Sequence, residues 1–293
     1  MPSNKSLLNL PPSFWISYEK VLKDSCLYED CLKFDPSGRY GGKGKKKAES
    51  HFSQRCGNSC SRTVYILESG GKDFDKISSS LIATLSSDTV GIVDLAAGSG
   101  GGTLGILTSI ENLRYSREIP CTPLTIHIHA ADFSKDSLSL YKKMIDEISN
   151  NLSSVGIEVH FHEYSWDATD VVQASKLCDK ILSDTAIKEY IVFVSVLSGV
   201  KPDGLKPMVR SFQHILERFA DRCMSSLWIE PGDSSVRFLN KVVNWIYSTC
   251  TWLSPLPIKK KLLEAEYIWI HRIQEKELPG KLSCVKYDRK NLI

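Results

Sequence analysis

The sequence predicts an α/β fold, a mostly parallel sheet with helices on both faces, preceded by a helical N-terminal extension. Three observations predict it. From residue 89 onward, short apolar runs alternate with segments of helical period, as expected of strand–helix–strand units whose sheet is covered on both sides. Before that point the apolar residues recur only at helical spacing. One apolar run also leads straight into a glycine cluster and then a helical stretch, Val90 to Gly105.

Each element has its own signal. In the extension, Trp15, Ile16, Tyr18, Val21, Leu22 and Leu27 suit one amphipathic helix or two short ones over Phe14–Leu32. Phe52, Cys56, Cys60, Val64 and Leu67 recur at steps of three and four over Glu49–Leu67, with Arg55 and Arg62 off that stripe. Phe74, Ile77, Leu81, Ile82 and Leu85 repeat the pattern over Asp73–Leu85. The strand candidates are Val90–Leu95, Leu124–Ala130, Glu158–Tyr164, Tyr190–Leu197, Ser226–Ile229 and Glu266–Ile273. Between them lie the helical candidates Thr103–Ile110, a helix capped by Ser134, Val171–Ile181, Pro207–Cys223 and Ser235–Tyr247. The expected organisation is an extension over residues 1–88 with a basic Gly/Lys linker at 36–47, then a ligand-binding domain over 89–293.

Composition excludes several classes. The 293 residues are 42% hydrophobic and 24% charged, which rules out a wholly disordered chain, a collagen and a coiled coil. A formal net charge of +3 predicts no nucleic-acid footprint over the whole molecule, so any basic surface is local. The longest strongly apolar run, Tyr190–Leu197, is far short of the roughly 20 residues of a membrane span. Met1 to Lys20 reads neither as a secretory signal nor as a transit peptide. Nine scattered Cys, an odd number, suit free thiols and a cytoplasmic location. Cys26-x4-Cys31 and Cys56-x3-Cys60, even with His51 nearby, depart from Cys-x2-Cys spacing, so no metal site is expected. His127 and His129 share one strand face without a third ligand in view, and packed, hydrogen-bonded histidines are the expectation.

The chemistry centres on Val90-Gly-Ile-Val-Asp-Leu-Ala-Ala-Gly-Ser-Gly-Gly-Gly-Thr-Leu-Gly105. Glycines let a backbone approach a ligand closely, and a helix N-terminus presents free N–H groups. Gly100, Gly102 and Gly105 fit the GxGxxG of dinucleotide sites, but the strand ends too early for it. Asp94 at the strand end also disfavours a pyrophosphate. Read instead from Asp94, the pattern apolar-apolar-Asp-x-x-x-Gly98-x-Gly100 resembles motif I of the class I S-adenosylmethionine-dependent methyltransferases.

The resemblance spans about residues 89–273 and implies a Rossmann-like sheet and S-adenosyl-L-methionine as cofactor. An acid beside a sulfonium and an ammonium is electrostatically sensible. Ala96 stands where the family often has Gly, which is tolerable if its φ stays negative. The resemblance implies ribose hydroxyls on Asp132, the adenine amino group on Asp167, an adenine ring packed on Trp166, and a substrate mouth at Ser195–Gly199. The implied donor contacts are therefore Asp94, Ala96, Gly98, Ser99, Gly100, Asp132, Phe133, Trp166, Asp167 and Ser195.

The acceptor is unmarked. Ser195-Val-Leu-Ser-Gly199 is not the Asn/Asp-Pro-Pro-Tyr/Phe of amino-methylating enzymes, and no Cys suits cytosine C5 chemistry. RNA is the expected acceptor or partner on two grounds. Arg39, Lys43, Lys45, Lys46, Lys47, Arg55 and Arg62 offer phosphate contacts, with Lys259–Lys261 adding to them. Ser61–Leu67 and Trp228–Gly232 also resemble segments of the mitochondrial ribosomal small-subunit methyltransferase-like family. Two alternatives stay open: a small-molecule acceptor enclosed beneath the N-terminal helices, and a catalytically inactive RNA- or ribosome-binding module. Phe14, Trp15, Tyr18 and Tyr40 could wall a planar substrate, though packing is the expected use.

Overall fold

The computed structural model describes residues 7–33, 44–197, 202–232, 244–245, 253–256 and 262–289. Its centre is a nine-stranded sheet. Strand β2 (Thr89–Leu95) lies between β3 (Leu124–Asp132) and β5 (Glu189–Ser195). Beyond β3 comes β4 (Ile157–Ser165); beyond β5 comes β6 (Cys223–Glu230), and these five strands are parallel. Strand β9 (Lys276–Arg289) then runs antiparallel to β6, pairing also with β8 (Leu263–His271) and the short β7 (Leu253–Leu256). This is the expected Rossmann-like architecture. The chain leaves β2 to one side through β3 and β4 and to the other through β5 and β6. The carboxyl ends of β2 and β5 thus flank a topological switch point, where open α/β sheets form their ligand crevice.

The alternating strand residues sort into two cores. Ile92, Ile126, Ile128 and Phe193 pack on the side carrying α5 (Gly101–Tyr115) and α6 (Lys135–Ser154). Val93, Leu95, Val192 and Val194 pack on the side carrying α7 (Val171–Leu182) and α8 (Pro202–Arg218). Ser134 caps α6 as expected, its hydroxyl accepting from Ser137 N at 3.3 Å.

The extension is built onto the first face. It forms α1 (Pro12–Asp24), α2 (Tyr28–Leu32), α3 (Lys45–Val64, continued by a π-helical turn at Tyr65–Ser69) and α4 (Gly71–Thr84). Two helices stand where one or two were expected, because Cys26 takes a positive φ of 57° that no helix tolerates. The segment also supplies strand β1 (Leu7–Leu8), parallel to β8 at the sheet's far edge. Phe14, Trp15 and Tyr18 are buried in this packing, with Tyr18 donating to the carbonyls of Phe52 and Ser53. Tyr40 lies outside the described residues.

Several expectations are corrected. The basic loop does not run to Lys47: α3 begins at Lys45, where the glycines end and lysines favour helix. Cys223 opens β6 rather than closing α8. The strand expected over Glu266–Ile273 is Leu263–His271, stopped by a 3-10 turn whose Gln274 N donates to His271 Nδ1. The helix expected over Ser235–Tyr247 falls, but for two residues, outside the described residues. Among the described residues no helix is long and apolar enough to cross a membrane.

Candidate functional site

The site is built where β2, β3 and β5 end. After Leu95 the chain turns through Ala96, Gly98 and Gly100, whose φ values are 54°, 54° and 74°. Ala97 N holds the turn to β3 by donating to Ala131 O at 3.1 Å, and Gly100 N closes it on Ala97 O at 2.9 Å. Ala96 therefore departs from the expected negative φ. A left-handed Ala costs about 1–2 kcal/mol more than Gly does there, which is the physical reason a Gly suits this position. Across the switch point, Val196 follows β5 with φ 62°, an outlier for a β-branched residue. Its N–H donates to Ile229 O at 2.9 Å, and Leu197 N donates to the buried Glu230 at 2.7 Å. Strained backbone on both sides of one crevice is what functional clefts tend to concentrate.

Asp132 ends β3 and is turned into the turn. Its Oδ2 accepts from Gly98 N at 2.9 Å and its Oδ1 from Ser134 N at 2.8 Å. Burial raises its carboxyl above the ordinary range, against the pull of the Ser134, Gly98 and Phe133 N–H groups. A carboxylate oxygen has room for more than one donor, so both oxygens keep acceptor capacity. Phe133, the next residue, is 47% exposed, a large apolar ring left uncovered beside this carboxylate.

Asp94 is placed differently from the expectation. It is buried, and its Oδ2 accepts from the Thr103 hydroxyl of α5 at 2.7 Å. Burial pushes its carboxyl up to about 7, with Thr103 and Tyr141 pulling it back. It anchors the first turn of α5. Trp166 is likewise corrected: it is 2% exposed, edge-on to Phe212 in the second core. The apolar environment of α7 and α8 claims the ring, so it backs the crevice and does not wall it. Asp167 is exposed, with Oδ1 accepting from Thr169 N and Oγ1 at 2.8 and 2.7 Å. Ser195 stands at the end of β5 with a buried hydroxyl oxygen that finds no hydrogen-bond partner among the described residues, while Ser99 of the loop lies against the Cys56 thiol. Ser198 and Gly199 lie outside the described residues.

The glycines divide by what a side chain would meet. A Cβ on Gly100 would strike the Tyr141 ring at 2.2 Å; on Gly102, the Phe193 ring at 2.7 Å; on Gly101 and Gly105, the Cys56 and Cys60 carbonyls at 2.7 and 2.8 Å. These four serve packing. Gly98 alone among the five has room for a Cβ, whose nearest neighbour would be the His51 imidazole carbon at an ordinary contact distance of 3.5 Å.

That histidine was not assigned to the site by the sequence reading. It belongs to α3, whose residues His51, Arg55, Asn58 and Arg62 fall on one face at helical spacing. Burial, then Arg55 and Arg62, push the His51 imidazole down to about 4, so it is neutral at pH 7. Only the packing of α3 on α5 could reveal its place. Arg62, read as a phosphate contact, is corrected: it is buried, and its Nε donates to Lys281 O at 3.2 Å. Lys45, Lys46 and Lys47 are exposed on the first turn of α3. Arg39, Lys43 and Lys259–Lys261 lie outside the described residues.

The parallel register of β3 and β4 brings His127 and His129 beside His160 and His162. His127 Nδ1 lies 3.4 Å from His162 Nε2, and His129 Nδ1 lies 3.2 Å from the Tyr164 hydroxyl. Among the described residues, no group of three or more His, Cys, Asp or Glu is arranged to hold a metal ion.

No protein-family model matches the chain. No curated protein matches it either. Solved structures do. Loganic acid methyltransferase with SAH is similar at 8% identity and a TM-score of 0.41, over 87% of this chain and 99% of that one. A protein from Listeria monocytogenes, assigned to the class I S-adenosylmethionine-dependent methyltransferases, is similar at 12% identity and a TM-score of 0.36, over 96% of this chain and 88% of the other. The C-terminal domain of precorrin-6Y C5,15-methyltransferase from Rhodobacter capsulatus is similar at 9% identity and a TM-score of 0.33, over 76% of this chain and 94% of its own.

Proposed function

We propose that the chain binds S-adenosyl-L-methionine in the crevice between β2, β3 and β5 and transfers its methyl group. One observation carries the reading. Asp132 is held at the end of β3 by backbone N–H groups, among them those of Gly98 and Ser134, and a carboxylate has acceptor capacity beyond these. A rigid carboxylate at a strand end suits the adjacent hydroxyls of a ribose. Exposed Phe133 supplies an apolar face for a base, and the Ser195 hydroxyl supplies a polar contact toward β5.

Bound here, the sulfonium would supply an activated methyl group with a good leaving group. The protein's share is then alignment, worth up to about 7–11 kcal/mol in well-oriented reactions. Asp132 and Gly98 fix one end. The strained turn at Val196 presents backbone at the other. Helix α3, from the N-terminal extension, roofs the crevice and limits water.

Calorimetry with S-adenosylmethionine and S-adenosylhomocysteine tests this. Both bind the wild-type chain. Asp132→Ala weakens both about tenfold to a hundredfold, the scale of lost charge-assisted hydrogen bonds. Asp132→Asn, which keeps the shape and one acceptor, loses less. Binding of NAD in place of either compound overturns the assignment.

For the acceptor, the reading is RNA, supported by exposed Lys45, Lys46 and Lys47 on the same helix that carries His51 to the crevice. Replacing the three lysines with alanine lowers RNA affinity and reduces the salt slope by roughly one per lysine that contacts phosphate. Label from methyl-labelled cofactor appearing in metabolites points to the small-molecule reading. RNA binding without any label transfer points to the non-catalytic one.

A further inference from the structure

We propose that His51 is a ligand-contacting residue of the crevice and lies beside the sulfonium of the donor. The inference rests on the donor-binding reading above.

The geometry comes first. His51 covers the one glycine of the loop that could take a Cβ without a clash, and its imidazole carbon sits 3.5 Å from where that Cβ would be. Gly98 is also the residue whose N–H holds Asp132. A ligand seated on Asp132 and Gly98 therefore has the imidazole on its open side. His51 is neither fully enclosed nor exposed, so its ring borders the crevice rather than the core.

The electrostatics set what this ring can do. On α3 itself, Arg55 and Arg62 place positive charge along the same face and, after burial, are the forces that keep the imidazole unprotonated. Lys45, Lys46 and Lys47 add exposed positive charge at the start of that helix. From β3, the Asp132 carboxylate accepts from Gly98 N. Beneath the loop, Asp94 is tied to Thr103, and across the switch point Glu230 is tied to Leu197 N and offsets Arg62. A neutral imidazole is compatible with a neighbouring sulfonium. A fixed cation at the same place would repel the sulfonium and leave a thioether nearly untouched.

Two measurements on the full-length chain test this. In the first, the His51 ring resonances, identified by their loss in His51→Gln, are followed while S-adenosylhomocysteine is added. They shift in proportion to occupancy. In the second, calorimetry gives the ratio of S-adenosylmethionine to S-adenosylhomocysteine affinity. His51→Gln leaves that ratio close to wild type. His51→Lys lowers it about tenfold or more, as expected for like charges brought near each other in a partly solvated site. Ring resonances that stay fixed at saturating ligand, or an unchanged ratio in His51→Lys, overturn the proposal while leaving donor binding intact. Failure of the wild-type chain to bind either compound falls instead on the donor-binding reading.

Discussion

Gly98 and Gly100 sit two residues apart in one turn, both with positive φ, and they serve different ends. Gly100 is closed by the Tyr141 ring of α6; Gly98 faces the crevice and His51. Gly101, Gly102 and Gly105 side with Gly100, because α3 and Phe193 press on them. A glycine run that reads as one phosphate- or cofactor-type loop is thus mostly a packing surface for a helix from the N-terminal extension.

The sharpest way to break this comparison is Gly100→Ala. The new Cβ would lie 2.2 Å from the Tyr141 ring at a backbone angle of 74°. Overpacking and left-handed strain together give a loss of about 3–4 kcal/mol. Urea denaturation reads it as a fall in the midpoint. Retained stability would mean that Tyr141 does not occupy the site, and that Gly100 is as open as Gly98.

Asp94 and Asp132 repeat the contrast in charge. Both are strand-end acids, yet one accepts from the Thr103 hydroxyl and the other from the backbone N–H groups of Gly98 and Ser134. An unfolded Asp titrates near 3.9, while burial holds Asp94 up to about 7 in the fold. Between those values the folded chain binds the extra proton. Its stability therefore falls as pH rises through that window, and the penalty is complete above it. Asp94→Asn keeps an acceptor for Thr103 and removes the penalty. It should stabilise the chain by about 2–3 kcal/mol at pH 8 and by much less at pH 4, as read by denaturation at both values. Equal effects at the two values would show that Asp94 is not a buried acid.

The strands around the switch point were legible because a parallel sheet buried on both faces leaves apolar runs, and Val90–Leu95 and Tyr190–Leu197 are such runs. Asp132 was legible as the acid that closes the next strand, Leu124–Asp132. Strand β9 was not: Pro279 and Gly280 interrupt it, and its partners lie in β6 and β8, distant in sequence. The placing of His51 was invisible for the same reason, since it depends on how α3 docks on α5. The four clustered histidines needed the β3–β4 register, which no single strand carries. Trp166 looked like a ligand wall because position alone cannot say which side of a strand end a ring takes. Arg55 and Arg62 fell off the apolar stripe of α3 and were read as surface cations, yet that second face is turned to the sheet's carboxyl edge.

Gly98→Ala sharpens the comparison from the other side. Its Cβ would meet only the His51 ring, at ordinary contact distance, so the cost to folding is the left-handed strain of about 1–2 kcal/mol. The effect on ligand binding is expected to exceed that of Gly100→Ala measured below its unfolding midpoint. A reversed order would place the ligand away from the open glycine.

Ala96 supplies the smallest effect and the control for all the others. It adopts the same φ of 54° as Gly98, with a Cβ already in place. Ala96→Gly relieves about 1–2 kcal/mol of left-handed strain. It also returns about 0.4–1 kcal/mol to the unfolded chain as entropy. The net gain is therefore about 1 kcal/mol or less, visible as a small rise in Tm. Because Ala96 precedes the Asp132–Gly98 contact without taking part in it, donor affinity should not change by more than about twofold. A large rise in affinity without a rise in stability would mean that the Ala96 methyl obstructs the ligand. The open stretch of the loop would then extend from Gly98 back to the end of β2.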